Sequence, residues 1–303
     1  MILLDFIILS IDMAKNTDEN WTTIIKPRNK LFEVNLKEIW DYRDLLTLFV
    51  KRTITVAYKQ TILGPLWWLI QPALTVIMYM VVFGGIAGIP TDGIPQPLFY
   101  LGGVCMWQYF SSCLTGTSNT FVSNSGIFGK VYFPRLIMPI STVVSNLVRF
   151  GIQFGLFVIV YVYYACVGMA PTPNWYFLLF PVLVFMLAGL GLGFGIIISS
   201  MTTKYRDLQI LFSFFVSLWM YATPIVYPLS RVAGKQKWGH DVADIMCLNP
   251  VTPVIETFKH GALGAGEFVG WGWLAYSFVF MLLTLGFGIL IFNRVQKSFM
   301  DTV

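Results

Sequence analysis

Six apolar segments, each close to the length needed to cross a bilayer, constrain this sequence more than any other feature. A helix of about 20 apolar residues spans the hydrocarbon core of a membrane. Hydrophobic residues make up 56% of the chain and charged residues only 12%, about half of the share in an average globular protein. We therefore predict an all-α polytopic membrane protein, in which residues 63–303 form six transmembrane helices. The predicted spans are residues 65–85, 98–121, 137–167, 176–201, 208–227 and 271–292.

Lys and Arg residues are concentrated in segments that alternate along the chain. Nine precede residue 60, and the predicted loops 122–136 and 202–207 and the tail after residue 292 hold two each. The loops between them hold none, except for four residues in 228–270. Because cytoplasmic loops carry the excess of Lys and Arg, both termini are predicted to be cytoplasmic.

Residues 1–33 are predicted to be a cytoplasmic leader. The first 12 residues are apolar but too short to span a bilayer, and Met13 offers an alternative start. The leader is followed at residues 34–62 by a predicted amphipathic helix lying in the membrane interface. Asn35 and Glu38 have the spacing of a capping box. A basic helix that feeds a span is typical of an interfacial segment, and the alternative is a soluble helix packed on its own domain.

The cysteine and histidine positions do not have the spacing of a metal site. Cys105, Cys113, Cys166 and Cys247 include no CxxC pair, and neither histidine lies near a cysteine pair. We interpret the cysteines as packing residues, and leave a Cys166–Cys247 disulfide open as an alternative. Nucleic acid is not an expected partner, because the chain has no basic soluble domain.

Glycines recur inside the predicted fourth span, at Gly189, Gly191, Gly193 and Gly195. No strand precedes them, so they do not form a dinucleotide-binding fingerprint. Two pairs have small-xxx-small spacing, which predicts that neighbouring helices approach this span closely.

Four stretches carry a family resemblance. They read YKQTILGPLWWLIQP at 58–72, NSGIFGKVYFPR at 124–135, KYRD at 204–207 and LNPVTPVIE at 248–256. Together they resemble the membrane (permease) subunit of ABC exporters for bacterial cell-surface polysaccharides of the O-antigen or lipopolysaccharide type. The resemblance covers residues 20–303 almost continuously. It implies a multi-pass protein of the bacterial inner membrane and an undecaprenyl-pyrophosphate-linked glycan as substrate. It also implies a working unit of two copies of this chain and two ATP-binding subunits.

The sequence contains no GxxxxGK[ST] phosphate-binding loop. We therefore expect no enzymatic activity and no cofactor in this chain, with ATP and Mg²⁺ bound by a separate subunit. The resemblance places contacts with that subunit in the loops after the second and fourth spans, although each loop alone could be a solvated basic turn. The predicted coupling residues are Ile127, Phe128, Lys130, Tyr132, Phe133, Arg135, Lys204, Tyr205, Arg206 and Asp207.

Every Asp and Glu between residues 45 and 300 falls in a predicted loop. Ion-driven carriers place such groups inside the membrane, so this pattern argues against ion-driven transport and against an enzyme with a carboxylate pair. Arg149 is the one charge inside a predicted span, where it either snorkels to the cytoplasmic interface or contacts an anionic head group. The residues predicted to guide the lipid head group are Arg43, Arg52, Lys59 and Arg149.

Residues 228–270 form the longest predicted segment outside the spans. By resemblance, this segment contains short re-entrant helices on the periplasmic side that act as a gate, with Asn249, Pro250, Pro253 and Glu256 as its predicted residues. A glycan path also needs aromatic rings, because sugar C–H faces pack against them. Trp67, Tyr79, Trp107, Trp219 and Tyr221 are the predicted channel residues, and membership of interface belts is the alternative.

Two other functions stay open at this stage. The same architecture could export another substrate, such as teichoic acid, capsule or a drug. A membrane enzyme of glycan assembly, such as a ligase using His240, Asp241 or Glu256, is the more distant alternative.

Overall fold

The computed structural model describes residues 36–59, 63–128, 130, 132–202, 205, 207–237 and 240–299. The predicted leader, the capping residue Asn35 and the predicted coupling residues Lys204 and Arg206 lie outside these ranges. The described part of the chain is mainly helical, and its only strands are two antiparallel pieces of two residues each. The all-α fold class is therefore confirmed.

The predicted interfacial segment consists of two helices, α1 (Leu36–Asp41) and α2 (Arg43–Lys59). The first apolar segment begins with a 3-10 turn at Gly64–Leu66 and continues as α3 (Trp67–Tyr79). It ends in a π-helical stretch, Met80–Ile86. The first apolar segment is thus a continuous helix that changes from 3-10 to α and then to π geometry along its length.

The second and third apolar segments correspond to α4 (Gln96–Ser118) and α6 (Ile137–Cys166). The predicted loop 122–136 was wrong in part, because α5 (Thr120–Phe128) occupies its first half. The chain turns at Asn119, and α5 then packs its Phe residues against neighbouring helices. This tertiary packing stabilises a helix that the mixed polar and aromatic sequence did not predict.

A 3-10 turn at Trp175–Leu179 leads into α7 (Phe180–Thr202), and α8 (Leu208–Tyr221) follows. The predicted fifth span, 208–227, is helical only as far as Tyr221. Pro224 explains the difference, because proline lacks an N–H and disfavours the helical conformation in the residue before it.

The predicted gate segment is more structured than a loop. It contains two helices, a 3-10 turn and a minimal hairpin, and the last helix of the chain follows it. These elements are the 3-10 turn Leu229–Arg231, β1 (Gln236–Lys237), β2 (His240–Asp241), α9 (Val242–Cys247), α10 (Val251–Leu263) and α11 (Trp271–Phe299).

Among the described residues, four helical segments are long and apolar enough to cross a membrane. They are Gly64–Ile86, Ile137–Cys166, Trp175–Thr202 and Trp271–Val295. Helix α4 is long enough but carries several Gln, Ser and Thr residues, and α8 is apolar but has only 14 residues. The chain is a multi-pass membrane protein by this pattern, while the number of six spans remains a prediction.

Helix α4 lies at the centre of the bundle, where it contacts α6, α7 and α10. Two of the α7 glycines face it: a Cβ at Gly191 would lie 2.7 Å from the Cβ of Cys113, and one at Gly195 would lie 2.5 Å from the Cβ of Thr117. The other pair faces α11, since a Cβ at Gly193 would lie 3.0 Å from the Leu285 nitrogen. The predicted close approach of helices at these glycines is confirmed, and it occurs on two faces of α7.

The cysteines are all free, so the alternative of a Cys166–Cys247 disulfide does not hold. Cys105, Cys113 and Cys247 are buried packing residues, as predicted, whereas Cys166 is exposed at the end of α6. Cys247 lies inside the gate segment, at the end of α9.

Candidate functional site

We call the predicted loops 122–136 and 202–207 the docking loops. The helices α4 and α7, which precede them in the chain, end side by side at one end of the bundle. The Thr202 hydroxyl, at the end of α7, donates to the Ser118 carbonyl at the end of α4 over 3.2 Å. One turn earlier, the Ser199 hydroxyl accepts a hydrogen bond from the Phe121 N–H over 3.4 Å. Helices α4 and α7 therefore end side by side, at what we call the coupling end; the second docking loop starts directly after α7, and the first follows α4 after the helix α5.

An aromatic cluster holds five helices together at the coupling end, namely α2, α5, α6, α7 and α11. The Phe49 ring of α2 lies 5.8 Å from the Phe133 ring, and the Phe121 ring of α5 stacks on the Phe292 ring of α11 at 4.6 Å. We call this group the coupling-end cluster. Its buried members are Phe49, Phe121, Phe128, Phe133, Ile137, Met138, Ile196 and Phe292.

The predicted coupling residues divide between this cluster and the surface. Phe128 and Phe133 are buried in it, and the Arg135 guanidinium lies 5.5 Å from the centre of the Phe128 ring. Burial lowers the pKa of Arg135 from its ordinary value. Lys130 and Tyr132 are exposed beside them. Lys130 and Tyr132 of the loop are thus exposed, while Phe128 and Phe133 anchor it in the cluster.

The second docking loop is described at Tyr205 and Asp207 only. The Tyr205 side chain is exposed, and Asp207 directly precedes α8, where its carbonyl accepts a hydrogen bond from the Ile210 N–H over 3.0 Å. Lys204 and Arg206 lie outside the described residues, so their predicted role stays a prediction.

A cavity of about 310 Å³ opens between α2, α5 and α6 at the coupling end. Arg52 is its one charged residue, and the predicted coupling residue Ile127 forms part of its apolar wall. The Ser141 and Thr142 hydroxyls in its wall donate to the Met138 carbonyl. We call it the head-group cavity. Its lining consists of Phe49, Arg52, Thr53, Val56, Ser123, Asn124, Ile127, Met138, Ser141 and Thr142. The arginine guanidinium is a donor that suits phosphate oxygens.

The other predicted head-group residues lie around α2 and on α6. Arg43 and Lys59 are exposed at the two ends of α2. Arg149 is half-buried on α6, with its guanidinium 5.7 Å from the centre of the Trp68 ring. Its Nε is buried and has no hydrogen-bond partner among the described residues. The two interpretations of Arg149, snorkelling and head-group contact, both remain open.

Of the predicted channel residues, Trp107 and Trp219 pack on each other with ring centres 6.3 Å apart. Trp107 is buried, and Trp219 fits edge-on against the Phe110 ring at 5.3 Å. The Tyr79 hydroxyl contacts the Met220 sulfur at 3.4 Å. Within one chain these three residues therefore form contacts between helices.

Trp67 and Tyr221 differ from the other predicted channel residues because they are exposed. Trp67 lines an open hollow on α3 together with Gln71 and Met78. The predicted glycan path stays a prediction for all five aromatic residues.

The predicted gate residues surround the start of α10. Asn249 accepts a hydrogen bond from the Val251 N–H over 3.2 Å and donates to the Thr223 hydroxyl over 2.9 Å. Pro250 and Pro253 lie in the first turn, where proline is tolerated because those N–H groups have no helical partner. The sequence therefore starts a helix at this point.

The expectation that Glu256 lies in a loop was wrong. Glu256 is on α10, and its Oε1 lies 3.1 Å from the Lys259 ammonium, which is fully buried. Sequence reasoning also missed Lys259, because it was counted as an outer-loop charge. The i,i+3 spacing of opposite charges in the otherwise apolar stretch VTPVIETFKHGAL was the signal that could have identified the pair.

A second cavity, of about 390 Å³, lies between the 3-10 turn Leu229–Arg231 and the helices α9 and α10. Asp244, Glu256 and Glu267 contribute carboxylates to its wall, and no group of residues with metal-site geometry is found in the described part of the chain.

The residues that the ligase alternative would use have other contacts. Asp241 caps α9 by accepting hydrogen bonds from the N–H groups of Ala243 and Gly234, which lower its pKa. Glu256 faces Lys259, and the His240 side chain lies outside the described residues. Asp241 and Glu256, the two carboxylates that the ligase alternative would use, are therefore bound to different partners.

Known proteins resemble this chain over most of its length. The O-antigen export system permease protein RfbA of Myxococcus xanthus is 29% identical over 227 residues, which cover 74% of this chain and 82% of that protein. The protein of the same name from Klebsiella pneumoniae is 28% identical over 85% of this chain and 94% of its own length. The polysialic acid transport protein KpsM of Escherichia coli is 22% identical over 83% of this chain and 93% of that protein.

The model of one protein family, described as ABC-2 type transporter, matches residues 44–263. The match runs from α2 to the end of α10 and so includes both docking loops and most of the gate segment. It covers well over half of the chain, which therefore belongs to the ABC-2 type transporter family of membrane proteins.

Proposed function

We propose that this chain is the membrane subunit of an ATP-driven exporter that moves a lipid-linked polysaccharide across the bacterial inner membrane. The observation that carries the proposal is the coupling end, where α4 and α7 end side by side and where Lys130, Tyr132 and Tyr205 of the docking loops are exposed. The names of the relatives, O-antigen export permease and polysialic acid transport protein, support a polysaccharide as the cargo.

The proposed working unit is two copies of this chain with two ATP-binding subunits, which would bind ATP and Mg²⁺. Members of the family are transporter permeases rather than enzymes. Helix α8 supports a second copy, because Val216 is its only buried residue and six of its large apolar side chains are exposed on one chain. Both termini are proposed to lie in the cytoplasm, on the same side as the coupling end.

The substrate is proposed to be an undecaprenyl-pyrophosphate-linked glycan whose head group enters at the head-group cavity. Arg52 would contact the pyrophosphate, while Arg43 and Lys59 on the exposed surface of α2 would attract it. Each basic residue near an anionic surface contributes about 1 kcal/mol, or roughly fivefold in affinity. We therefore expect Arg52→Gln/Lys59→Gln to reduce surface glycan by about tenfold or more, with normal amounts of protein in the membrane.

Lys51→Gln is the matched control for this variant, because Lys51 is exposed on α2 next to Arg52 but does not line the cavity. Surface glycan can be measured by gel electrophoresis of extracted polysaccharide. Unchanged export by Arg52→Gln/Lys59→Gln, or an equal loss in Lys51→Gln, would refute head-group guidance by the cavity.

The proposed function as a whole is tested by co-purification and reconstitution. The full chain is expected to co-purify with an ATPase, and ATP turnover in vesicles is expected to rise when the lipid-linked glycan is added. Export by the purified chain without any ATPase would contradict the proposal. Because one relative is named for polysialic acid transport, a capsule polymer is the second candidate cargo, and the same assay with that polymer distinguishes the two.

A further inference from the structure

Helix α10 is the most deeply buried helix of the predicted gate, and it contains a charged pair. Every residue of α10 except His260 is buried. Lys259 has no exposed surface, and Glu256 is 5% exposed. A buried charge is costly unless it is paired and hydrogen-bonded, so a buried lysine in a gate helix needs a structural or functional reason.

The Lys259 ammonium joins three separate elements. On its own helix it lies 3.1 Å from Glu256 Oε1. It also donates a hydrogen bond to the Pro224 carbonyl, and it lies 4.2 Å from the centre of the Phe99 ring on α4. Long side chains in helices point back towards the N-terminus, which brings this ammonium towards the start of α10.

Pro224 belongs to the turn that follows α8, which we call the exit turn (residues 222–226). This turn is not part of a helix, so the Pro224 carbonyl is available to an outside donor. The structure makes room for the contact at Gly103 of α4, where a Cβ would lie 3.2 Å from Ile225 and 3.4 Å from the Cε of Lys259.

A second hydrogen bond joins the same two elements. The Asn249 amide, just before α10, donates to the hydroxyl of Thr223 in the exit turn over 2.9 Å. Lys259 and Asn249 therefore hold neighbouring residues of the exit turn from two positions on the gate segment. Both hydrogen bonds are shielded from solvent, because Thr223 and Pro224 are buried.

Helix α8 connects the exit turn to the coupling end. It begins directly after Asp207 of the second docking loop and ends at Tyr221, one residue before the exit turn. Val216 is the one buried residue of α8, and Phe212, Trp219 and Met220 pack half-buried against the bundle, while most of its other large apolar side chains are exposed. A movement of α8 would be passed on at its far end, where the exit turn is bound to α10.

From this arrangement we propose that Lys259 is a positioning residue that makes the exit turn and the gate helix α10 move together, and so transmits displacement of α8 to the gate. This inference rests on the proposed export function. Glu256 neutralises Lys259 and orients it, while Pro224 is the contact that transmits the movement.

The test uses the complete complex of this chain with its ATPase, reconstituted in vesicles with the lipid-linked glycan. Because Lys259→Met alone leaves Glu256 buried without a partner, the main variant is Glu256→Gln/Lys259→Met, which removes both charges. We expect normal assembly and ATP hydrolysis within about twofold of the unmodified complex. Export per ATP is expected to fall by about fivefold or more, as is typical when the coupling between two sites is lost.

A rescue experiment separates transmission from folding. Thr223→Cys and Asn249→Cys are added to the double variant, with the exposed Cys166 replaced by Ser, and an added oxidant joins the two thiols in a disulfide that cross-links the exit turn to the residue before α10. If Lys259 acts by holding these elements together, the cross-link should restore most of the export per ATP. The same cross-link in a chain that retains Glu256 and Lys259 should leave export per ATP unchanged.

Three results would overturn the proposal: export per ATP unchanged in Glu256→Gln/Lys259→Met, export and ATP hydrolysis falling in proportion to the amount of assembled complex, or no rescue by the cross-link. Failure of the proposed function itself would be distinguishable, because the unmodified complex would then show no ATP-dependent export.

Discussion

Glu256 and Lys259 form an ion pair to which water has almost no access. Removing one partner of such a pair leaves an uncompensated buried charge, which costs about 3–5 kcal/mol, whereas replacing both partners is often close to neutral. The stability of the gate therefore depends on the pair being complete, and its net contribution over an apolar pair of similar volume is expected to be small.

We expect Lys259→Met to lower the free energy of unfolding by about 3–5 kcal/mol and Glu256→Gln/Lys259→Met to lower it by clearly less. The measurement is thermal or denaturant unfolding of the purified protein in detergent, followed by tryptophan fluorescence. If the double variant is as unstable as the single one, the pair does not behave as a compensated buried charge.

At the scale of helices, close approach depends on missing side chains at particular positions. Gly191 of α7 packs against α4 so tightly that an added Cβ would lie 2.7 Å from the Cβ of Cys113 and 3.0 Å from the carbonyl oxygen of Phe110. Interfaces of this kind in membranes rely on van der Waals contact between backbones. A methyl group here must therefore separate the two most central helices.

Gly191→Ala is expected to destabilise the chain by about 1–3 kcal/mol through overpacking. The matched control is Gly155→Ala on α6, where an added Cβ meets nothing within 4 Å and helix propensity favours alanine. Unfolding in detergent compares the two. Equal stability of both variants would show that α4 and α7 can move apart without cost.

The coupling-end cluster is the second helix-scale feature, because it attaches α2 and the first docking loop to the bundle. Phe133 is 5% exposed, whereas its neighbour Tyr132 is 52% exposed. Two adjacent aromatic residues thus have different tasks: Phe133 packs on Phe49 of α2, and Tyr132 is available to a partner.

Phe133→Ala is expected to cost about 3–5 kcal/mol of stability, as for other buried aromatic residues. Tyr132→Ala, its control, is expected to change the free energy of unfolding by less than about 0.5 kcal/mol but to weaken binding of the ATPase. Unfolding and co-purification measure the two effects. Normal ATPase binding by Tyr132→Ala would show that Tyr132 does not contribute to the docking surface.

At the scale of the whole molecule, one chain leaves a large apolar face on α8 without a cover. The exposed side chains are Ile210, Leu211, Phe214, Phe215, Leu218 and Tyr221. Two coverings are available to such a face in a membrane, lipid and a second copy. We expect the second copy, because α8 has few contacts of its own and follows the docking loop directly.

A cross-linking experiment tests this arrangement. In a chain with Cys166→Ser, Leu218→Cys is expected to form a cross-linked dimer in membranes, and Ile159→Cys on α6, which is also exposed, is not. The readout is a band of doubled mass after treatment with a short thiol cross-linker. Equal cross-linking at both positions would contradict a dimer interface at α8.

Much of the molecule could be predicted from the sequence because the relevant properties are local. The length and apolarity of segments such as Ile137–Cys166 and Trp271–Val295 follow from composition, and the glycine spacing of α7 predicted its close packing. Motifs at 124–135 and 204–207 carried the family resemblance, which the matched family model bears out.

Other features depended on residues far apart in the sequence, and only the tertiary structure decided them. The helix α5 and the coupling-end cluster depend on contacts between segments more than 70 residues apart, such as Phe121 with Phe292. Burial of Lys259 is of the same kind, because its partners Pro224 and Phe99 lie on other elements. Composition and spacing determine which segments enter the membrane, but the energy of a charge depends on what surrounds it, and that is known only once the helices have packed.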